Sequence, residues 1–332
     1  QEQSGGVTVD NSSAETHTTI FAIAESPRDS NIIWVGTDDG NLQVTRDGGK
    51  NWTNVVGNIQ GLPKNAWVSS VEPGHFSDNT AYATFDLHMF GDMGPYAYKT
   101  TDFGLTWTSI LSEGNPLRGY AHVVKEDLVN SDLLFVGTEF GLWVSLDGGR
   151  QWAQYKGGDL PNVAVCDLAI HPRDRDLVIA THGRGIWIID DITPLRALTP
   201  EALAQDAMFI EAKPPIQRIP AGGGWSMGDA SFSAPNPTDD ATITYYQKKR
   251  HIFGDLKIEV FDENGKSMGT IPGSKRRGLS RVAWGMRLKA PKVPPAATAA
   301  GGSVGPRVLP GTYTVKMTKD TKVYTTTLTV GL

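Results

Sequence analysis

Cysteine is almost absent: Cys166 is the only one in 332 residues, so no disulfide can form within the chain. Its place inside the apolar stretch 163–170 predicts a buried structural thiol. Such low cysteine content fits an envelope or secreted protein as well as a cytosolic one. No apolar run is long enough to cross a membrane as a helix, and no leading stretch reads as a signal peptide. Basic charge is not in excess. Lys and Arg number 31 against 36 Asp and Glu, a net charge of −5, which argues against an electrostatic nucleic-acid binder. Two basic clusters, Lys248-Lys249-Arg250-His251 and Lys275-Arg276-Arg277, read as solvated strand ends or loops. No hydrolase elbow, phosphate loop or paired-Cys metal motif is present. Long helical periodicity is also lacking. With 37 Gly, 20 Pro and 9 Trp, this points to an all-β chain with many turns, long enough for two domains.

What the chain does have is a repeat. Thr45-Arg46-Asp47-Gly48-Gly49-Lys50-Asn51-Trp52 returns as Thr100, Asp102, Gly104, Trp107 and again as Ser145, Asp147, Gly149, Trp152. An Asp carboxylate can accept hydrogen bonds from backbone N–H groups ahead of it, Gly can take positive φ, and the Trp then buries its ring against the turn. The turn hydrogen bonds make Asp47, Asp102 and Asp147 structural rather than catalytic. The flanks repeat too. Ile32-Ile33-Trp34-Val35-Gly36-Thr37 and Leu133-Leu134-Phe135-Val136-Gly137-Thr138 each precede a Gly hairpin and a further strand. Apolar segments near Pro27, Pro73 and Pro172 supply another strand upstream of each. The units are four-stranded meanders of about 45–55 residues, the size of a propeller blade.

These motifs resemble the Asp-box (bacterial neuraminidase repeat) β-propellers, in particular secreted bacterial proteins related to the sortilin ectodomain and, more distantly, the xyloglucanase propellers. The resemblance covers residues 16–195, with Thr181-His182-Gly183-Arg184-Gly185-Ile186-Trp187 as a last-blade variant lacking the Gly and Trp of a complete box. It implies an all-β, partial Asp-box propeller of about four blades and export to the bacterial periplasm or exterior. Because relatives use more blades and an open ring leaves apolar faces in water, it also implies remaining blades from the same precursor or another chain. The chain would then be a piece of a longer protein.

Outside the blades, residues 1–15 read as a linker or arm. Residues 196–206 form a connector with a short helix, for which Thr199 is the N-cap and Pro200 the first turn. From 207 to 332 long alternating strands at 242–247, 256–261, 279–284, 311–317 and 322–330 suggest an immunoglobulin-like β-sandwich. The segment Gly278-Leu279-Ser280-Arg281-Val282-Ala283-Trp284 resembles the C-terminal module of the same secreted family and hook-cap-like sandwiches. The stretch 290–307, rich in Pro, Ala and Gly, reads as a flexible loop.

In a four-stranded meander alternate connections lie on opposite ends of the sheet, so the hairpins between second and third strands gather on the rim away from the Asp turns. Those hairpins carry Asp38, Asp39, Asp86, His88, Asp92, Glu139, His182 and Arg184. Loops between blades add Asn65, Trp67, Arg118, Tyr120 and His122, and His17 and His122 are candidates to line the channel. Several chemistries are open. Carboxylates such as Asp86, Glu139 or Asp38 could act in pairs in glycoside hydrolysis of the xyloglucanase type. Asp86, His88 and Asp92 could hold a divalent metal such as Ca²⁺. The rim could equally bind a peptide, glycan or protein without catalysis. Hairpin loops are also polar simply because they face water.

Overall fold

The regular secondary structure is almost all antiparallel strand, joined by turns and loops, in a computed structural model that describes residues 11–12, 15–16, 18–111, 114–211, 213–217, 238–292 and 304–332. Most of the 1–15 arm, together with His17, lies outside the described residues. Two compact units divide the chain, Gln1–Arg196 and Ala197–Leu332.

A small ribbon, β1 (Asn11–Ser12) with β2 (Glu15–Thr16), precedes the blades. Blade 1 is the meander β3 (Ile20–Glu25), β4 (Ile33–Thr37), β5 (Leu42–Thr45) and β6 (Thr53–Asn54). Blade 2 follows as β7 (Trp67–Pro73), β8 (Ala81–Asp86), β9 (Tyr96–Thr100) and β10 (Thr108–Ser109), and blade 3 as β11 (Ala121–Glu126), β12 (Leu134–Thr138), β13 (Gly141–Ser145) and β14 (Ala153–Gln154). These sheets are blades of a β-propeller. Blade 4 has three strands only, β15 (Val165–Ile170), β16 (Leu177–Thr181) and β17 (Ile186–Ile189). Without the Gly and Trp of the repeated turn the chain leaves β17 for the short helix α1 (Thr193–Arg196), where Arg196 pairs with the buried carboxylate of Asp127 at 2.8 Å.

The three Asp turns have one geometry, written by local hydrogen bonds. The hydroxyls of Thr45, Thr100 and Ser145 each donate to the Asp two residues on, at 2.8 Å. The same hydroxyls accept from the N–H of Gly49, Gly104 and Gly149 at 2.9–3.0 Å. Each Asp then accepts from the backbone N–H four residues ahead, in Asn51, Thr106 and Gln151. Gly49, Gly104 and Gly149 sit at φ +91°, +84° and +94°, where a Cβ would be strained.

Neighbouring blades share one apolar cluster at each boundary. Trp34 and Val44 of blade 1 join Val68, Val71 and Phe85 of blade 2. Tyr82 and Ile110 of blade 2 join Val124, Leu134 and Trp152 of blade 3, and Leu133 and Phe135 join Leu168 and Ile179 of blade 4. Each fully buried side chain of this kind contributes roughly 1.5–3 kcal/mol, so these clusters hold the row together. A recurring fit sits inside them. A Cβ on Gly36 would lie 2.3 Å from Val68 Cγ1, and one on Gly137 would lie 2.7 Å from Val165 Cγ1. At these two boundaries a glycine on the second strand receives the inner-strand valine of the next blade, whereas in blade 2 Thr84 takes that place and donates to His122 O of blade 3.

The turn tryptophans do not all bury their rings. Trp107 and Trp152 are buried against the preceding blade, Trp107 edge-to-face on Trp34 at 5.9 Å and Trp152 donating its indole N–H to Ile110 O at 2.9 Å. Trp52, in blade 1, has only its own turn to lie on and is 40% exposed.

In the second unit α2 (Pro200–Ala204) starts as expected, with the Thr199 hydroxyl accepting from Ala202 N–H. Two sheets follow: β18 (Ala207–Ile210), β19 (Ala241–Gln247) and β22 (Gly278–Trp284) in one, β21 (Ser267–Pro272), β20 (Lys257–Phe261), β23 (Gly311–Lys319) and β24 (Lys322–Val330) in the other. Ile243, Tyr245 and Trp284 from the first sheet and Ile258, Val260, Val315 and Met317 from the second form one core. Strands β18 and β21 escape a sequence reading, β18 because it is short and β21 because Gly269 and Pro272 dilute its pattern. Within the 290–307 stretch, residues 293–303 lie outside the described residues. Its end is not loose: Leu288 N–H donates to Pro306 O and Val308 N–H to Met286 O.

Candidate functional site

The hairpins between second and third strands do meet the loops that lead into the inner strands. The N–H groups of Asp38, Glu139 and His182 donate to the carbonyls of Thr19, Tyr120 and Ala164 in their own blades. Gly40 lies against the backbone of Asn65, and Gly119 against Glu139. This end of the blades is therefore a common rim, opposite the Asp turns.

At its centre is Asp86, the last residue of β8, whose side chain is fully buried. One carboxylate oxygen accepts from His88 N–H at 2.9 Å and from His88 Nδ1 at 2.6 Å, and the other meets His122 Nδ1, from blade 3, at 3.1 Å. Burial alone would raise the carboxyl pKa, but the hydrogen bonds from His122 and from the backbone and ring of His88 outweigh it and hold Asp86 below the usual 3.8. An ionised carboxylate only accepts, so both imidazoles present Nδ1–H to it and turn Nε2 away.

The two rings are set in an aromatic cluster. His88 stacks on Tyr120 at 4.5 Å, Trp67 meets His122 edge-on at 5.6 Å, and Phe21 meets Trp67 edge-on at 4.6 Å. Trp67, Tyr120 and His88 are each half-buried, so the platform is open to solvent on one side. Burial, then the charges of Asp86, Glu139 and Cys166, raises the Tyr120 pKa, so its hydroxyl stays protonated. Cys166 is half-buried at this end of β15 rather than sealed in a core, because a bulge between Val165 and Asp167 displaces it.

The remaining rim residues stand apart from this cluster. Asp92 does not join Asp86 and His88: its oxygens accept from Gly94 N–H at 2.8 Å and from Tyr96 Oη at 2.7 Å. Asp38 accepts from Thr18 and Thr19 N–H, and Asp39 from the Thr37 hydroxyl and Asn41 amide. His182 and Arg184 are exposed in the β16–β17 turn. Among the described residues no group of three His, Cys, Asp or Glu side chains has the arrangement of a metal site. Sequence reading misses Phe21, which looks like an ordinary strand residue, and takes His75 for an ordinary loop residue near Pro73, whereas it sits 3.7 Å from Glu72 and 3.5 Å from Glu126 at the other end of the inner strands.

No protein-family model matches the chain, and no curated protein matches it. Among solved structures it is similar to YCF48 bound to a D1 peptide, with 19% identity and a TM-score of 0.39 over 53% of this chain and 52% of that one. It is also similar to a GH74 xyloglucanase from Xanthomonas campestris, with 14% identity and a TM-score of 0.39 over 52% and 29% of the two chains. A GH74 enzyme from Niastella koreensis is 16% identical with a TM-score of 0.39, over 82% and 31%. The chain spans about half the length of the YCF48 structure and under a third of each GH74 structure. Likeness at this level carries no argument about activity, and the blade architecture rests on the strand pairing of the chain itself.

Proposed function

We propose that this chain is part of a secreted bacterial binding propeller that holds a peptide or glycan on the Phe21–Trp67–His88–Tyr120–His122 platform without turning it over. The observation that carries the reading is the state of Asp86: buried, ionised and engaged on both oxygens by imidazoles. A carboxylate in that position orients its neighbours but has no free oxygen to attack a substrate and no proton to give. What it produces is a fixed set of half-buried rings, and such rings bind sugar faces or peptide side chains by stacking at small entropic cost. A calcium-stabilised rim is less favoured, since one oxygen each of Asp38 and Asp39 and both oxygens of Asp92 are engaged within their own blades.

Glycan and peptide arrays, repeated with Trp67→Ala and Tyr120→Ala, test this. Binding lost in both variants is expected. Turnover of a polysaccharide that disappears in Asp86→Asn or Glu139→Gln would replace the reading with a glycoside hydrolase.

The partner of the blade row is, in this proposal, further blades of the same repeat, from one precursor or another chain. Ile20 and Ile23 of β3 are 59% and 71% exposed, whereas Val68 and Val165, the counterparts of Ile20, are buried by the preceding blade. On β17, Ile186 and Ile188 are 72% and 58% exposed beside Ala180, which occupies the place of Gly36 and Gly137. Blade 1 offers a side chain to fill a preceding blade, and blade 4 offers the small-residue seat for a following one. The two-sheet second unit is read as an immunoglobulin-like module.

A further inference from the structure

The two basic clusters of the sequence, separated by more than twenty residues, are brought to one end of the β19–β22 pair. Gln247 at the end of β19 pairs with Gly278 at the start of β22, and its amide donates to the carbonyls of Ser274 and Arg276. His251 is buried, and its N–H donates to Lys275 O at 3.0 Å, so it anchors the base of one loop on the other. Above that anchor the chain turns at Gly254, at φ +71°, and carries Ile252 and Phe253 outward, 71% and 82% exposed. Lys248-Lys249-Arg250 and Lys275-Arg276-Arg277 flank this apolar tip. Nearby carboxylates include Asp255, 3.5 Å from Lys275, Asp320, 3.5 Å from His251, and Asp206, whose side chain is taken up by Lys319 at 2.7 Å. Among the described residues Lys249, Arg250, Arg276 and Arg277 form no ion pair.

The geometry points to a docking surface for an anionic lipid bilayer. Cations alone would suit any polyanion, and the chain as a whole is acidic, so the concentration of charge here has a local purpose. The apolar tip decides the class of partner. A soluble polyanion has no apolar phase to receive Ile252 and Phe253, whereas a bilayer offers phosphates to Lys249, Arg250, Arg276 and Arg277 and acyl chains to the two side chains between them. Long Lys and Arg stems keep their charges at headgroup level while such a tip inserts.

Sedimentation of the whole chain with phosphatidylcholine vesicles, with and without phosphatidylglycerol, tests this, with heparin as a soluble polyanion. Binding to the phosphatidylglycerol vesicles only is expected, weakening as salt rises. Arg276→Glu and Arg277→Glu should each lower the affinity about fivefold or more, at roughly 1 kcal/mol per cation. Phe253→Ser should lower vesicle binding about tenfold and leave heparin binding unchanged. All these residues are exposed, and an unchanged thermal melt confirms that the variants fold. No vesicle binding at low salt would overturn the assignment. So would vesicle binding indifferent to Phe253→Ser, with heparin bound as tightly, which would give the patch to a soluble polyanion.

Discussion

The indole N–H of Trp152 donates across a blade boundary to the carbonyl of Ile110 at 2.9 Å, as well as to Gly149 O in its own turn at 3.1 Å. Gly149 lies against the same Ile110, as Gly104 lies against Val55, while Gly49 has only Trp52 for a neighbour. One local motif thus does two jobs: it closes a turn by itself, and it seats that turn on the blade before it.

Trp152→Phe should therefore lower the stability of the chain by about 1–2 kcal/mol, since it leaves a buried carbonyl without its donor. The same substitution at Trp52 should change it by less than about 0.5 kcal/mol, because that indole bonds only within its exposed turn. Urea unfolding of the two variants measures the difference. Within a completed ring Trp52→Phe should become as costly as Trp152→Phe.

The glycine seats give a second contrast. Gly137→Ala forces a methyl against Val123, Val165 and the Val165 carbonyl at 2.6–2.7 Å and should cost about 2–3 kcal/mol. Ala180→Val, in the equivalent seat on blade 4, should be close to neutral in this chain and should block the docking of a following blade. Thermal melts and native mass spectrometry report the two effects.

Asp86→Asn should destabilise the chain by about 2–3 kcal/mol and abolish platform binding, because the two imidazoles lose the ion that orients them. The pH dependence has a definite sign. The folded carboxyl titrates below the ordinary 3.8, so its contribution is complete above that value and is lost as pH falls through the lowered one. Wild-type stability should fall more steeply than that of Asp86→Asn on acidification below about pH 4.

The Asp turns make their own titration prediction. The backbone N–H of Asn51, its side-chain amide and the Thr45 hydroxyl bring Asp47 down to about 2 from 3.8. A carbon-detected NMR titration should find that midpoint, and Thr45→Val, which removes one donor, should raise it. Turn stability is full above 3.8 and declines as pH falls toward 2.

Much of the fold was legible because its signals are local. Thr45, Asp47 and Gly49 bond within one loop, so the motif and the conformation are the same fact. Val165–Ile170 and Lys322–Val330 form strands over those spans, the second alternating along its length and the first once past its bulge. Asp92 was misplaced beside Asp86 because proximity in sequence says nothing of direction: Tyr96, four residues on, draws its carboxylate away. Phe21 belongs to no motif and gains its partner Trp67 from another blade, and His75 reads as a loop residue because Glu126, which joins Glu72 beside it, comes from blade 3.

The amino-acid sequence determined the turns, the meanders and the repeat, because hydrogen bonds within four residues and a two-residue side-chain period specify them without reference to the rest of the chain. Only the tertiary structure decided that Asp86 would join His88 to a histidine 36 residues away, that Trp52 would lie open while Trp152 is buried, and that two basic loops would share one apolar tip. Those outcomes depend on which sheet packs against which. Packing is a relation between distant segments, and no local pattern encodes it.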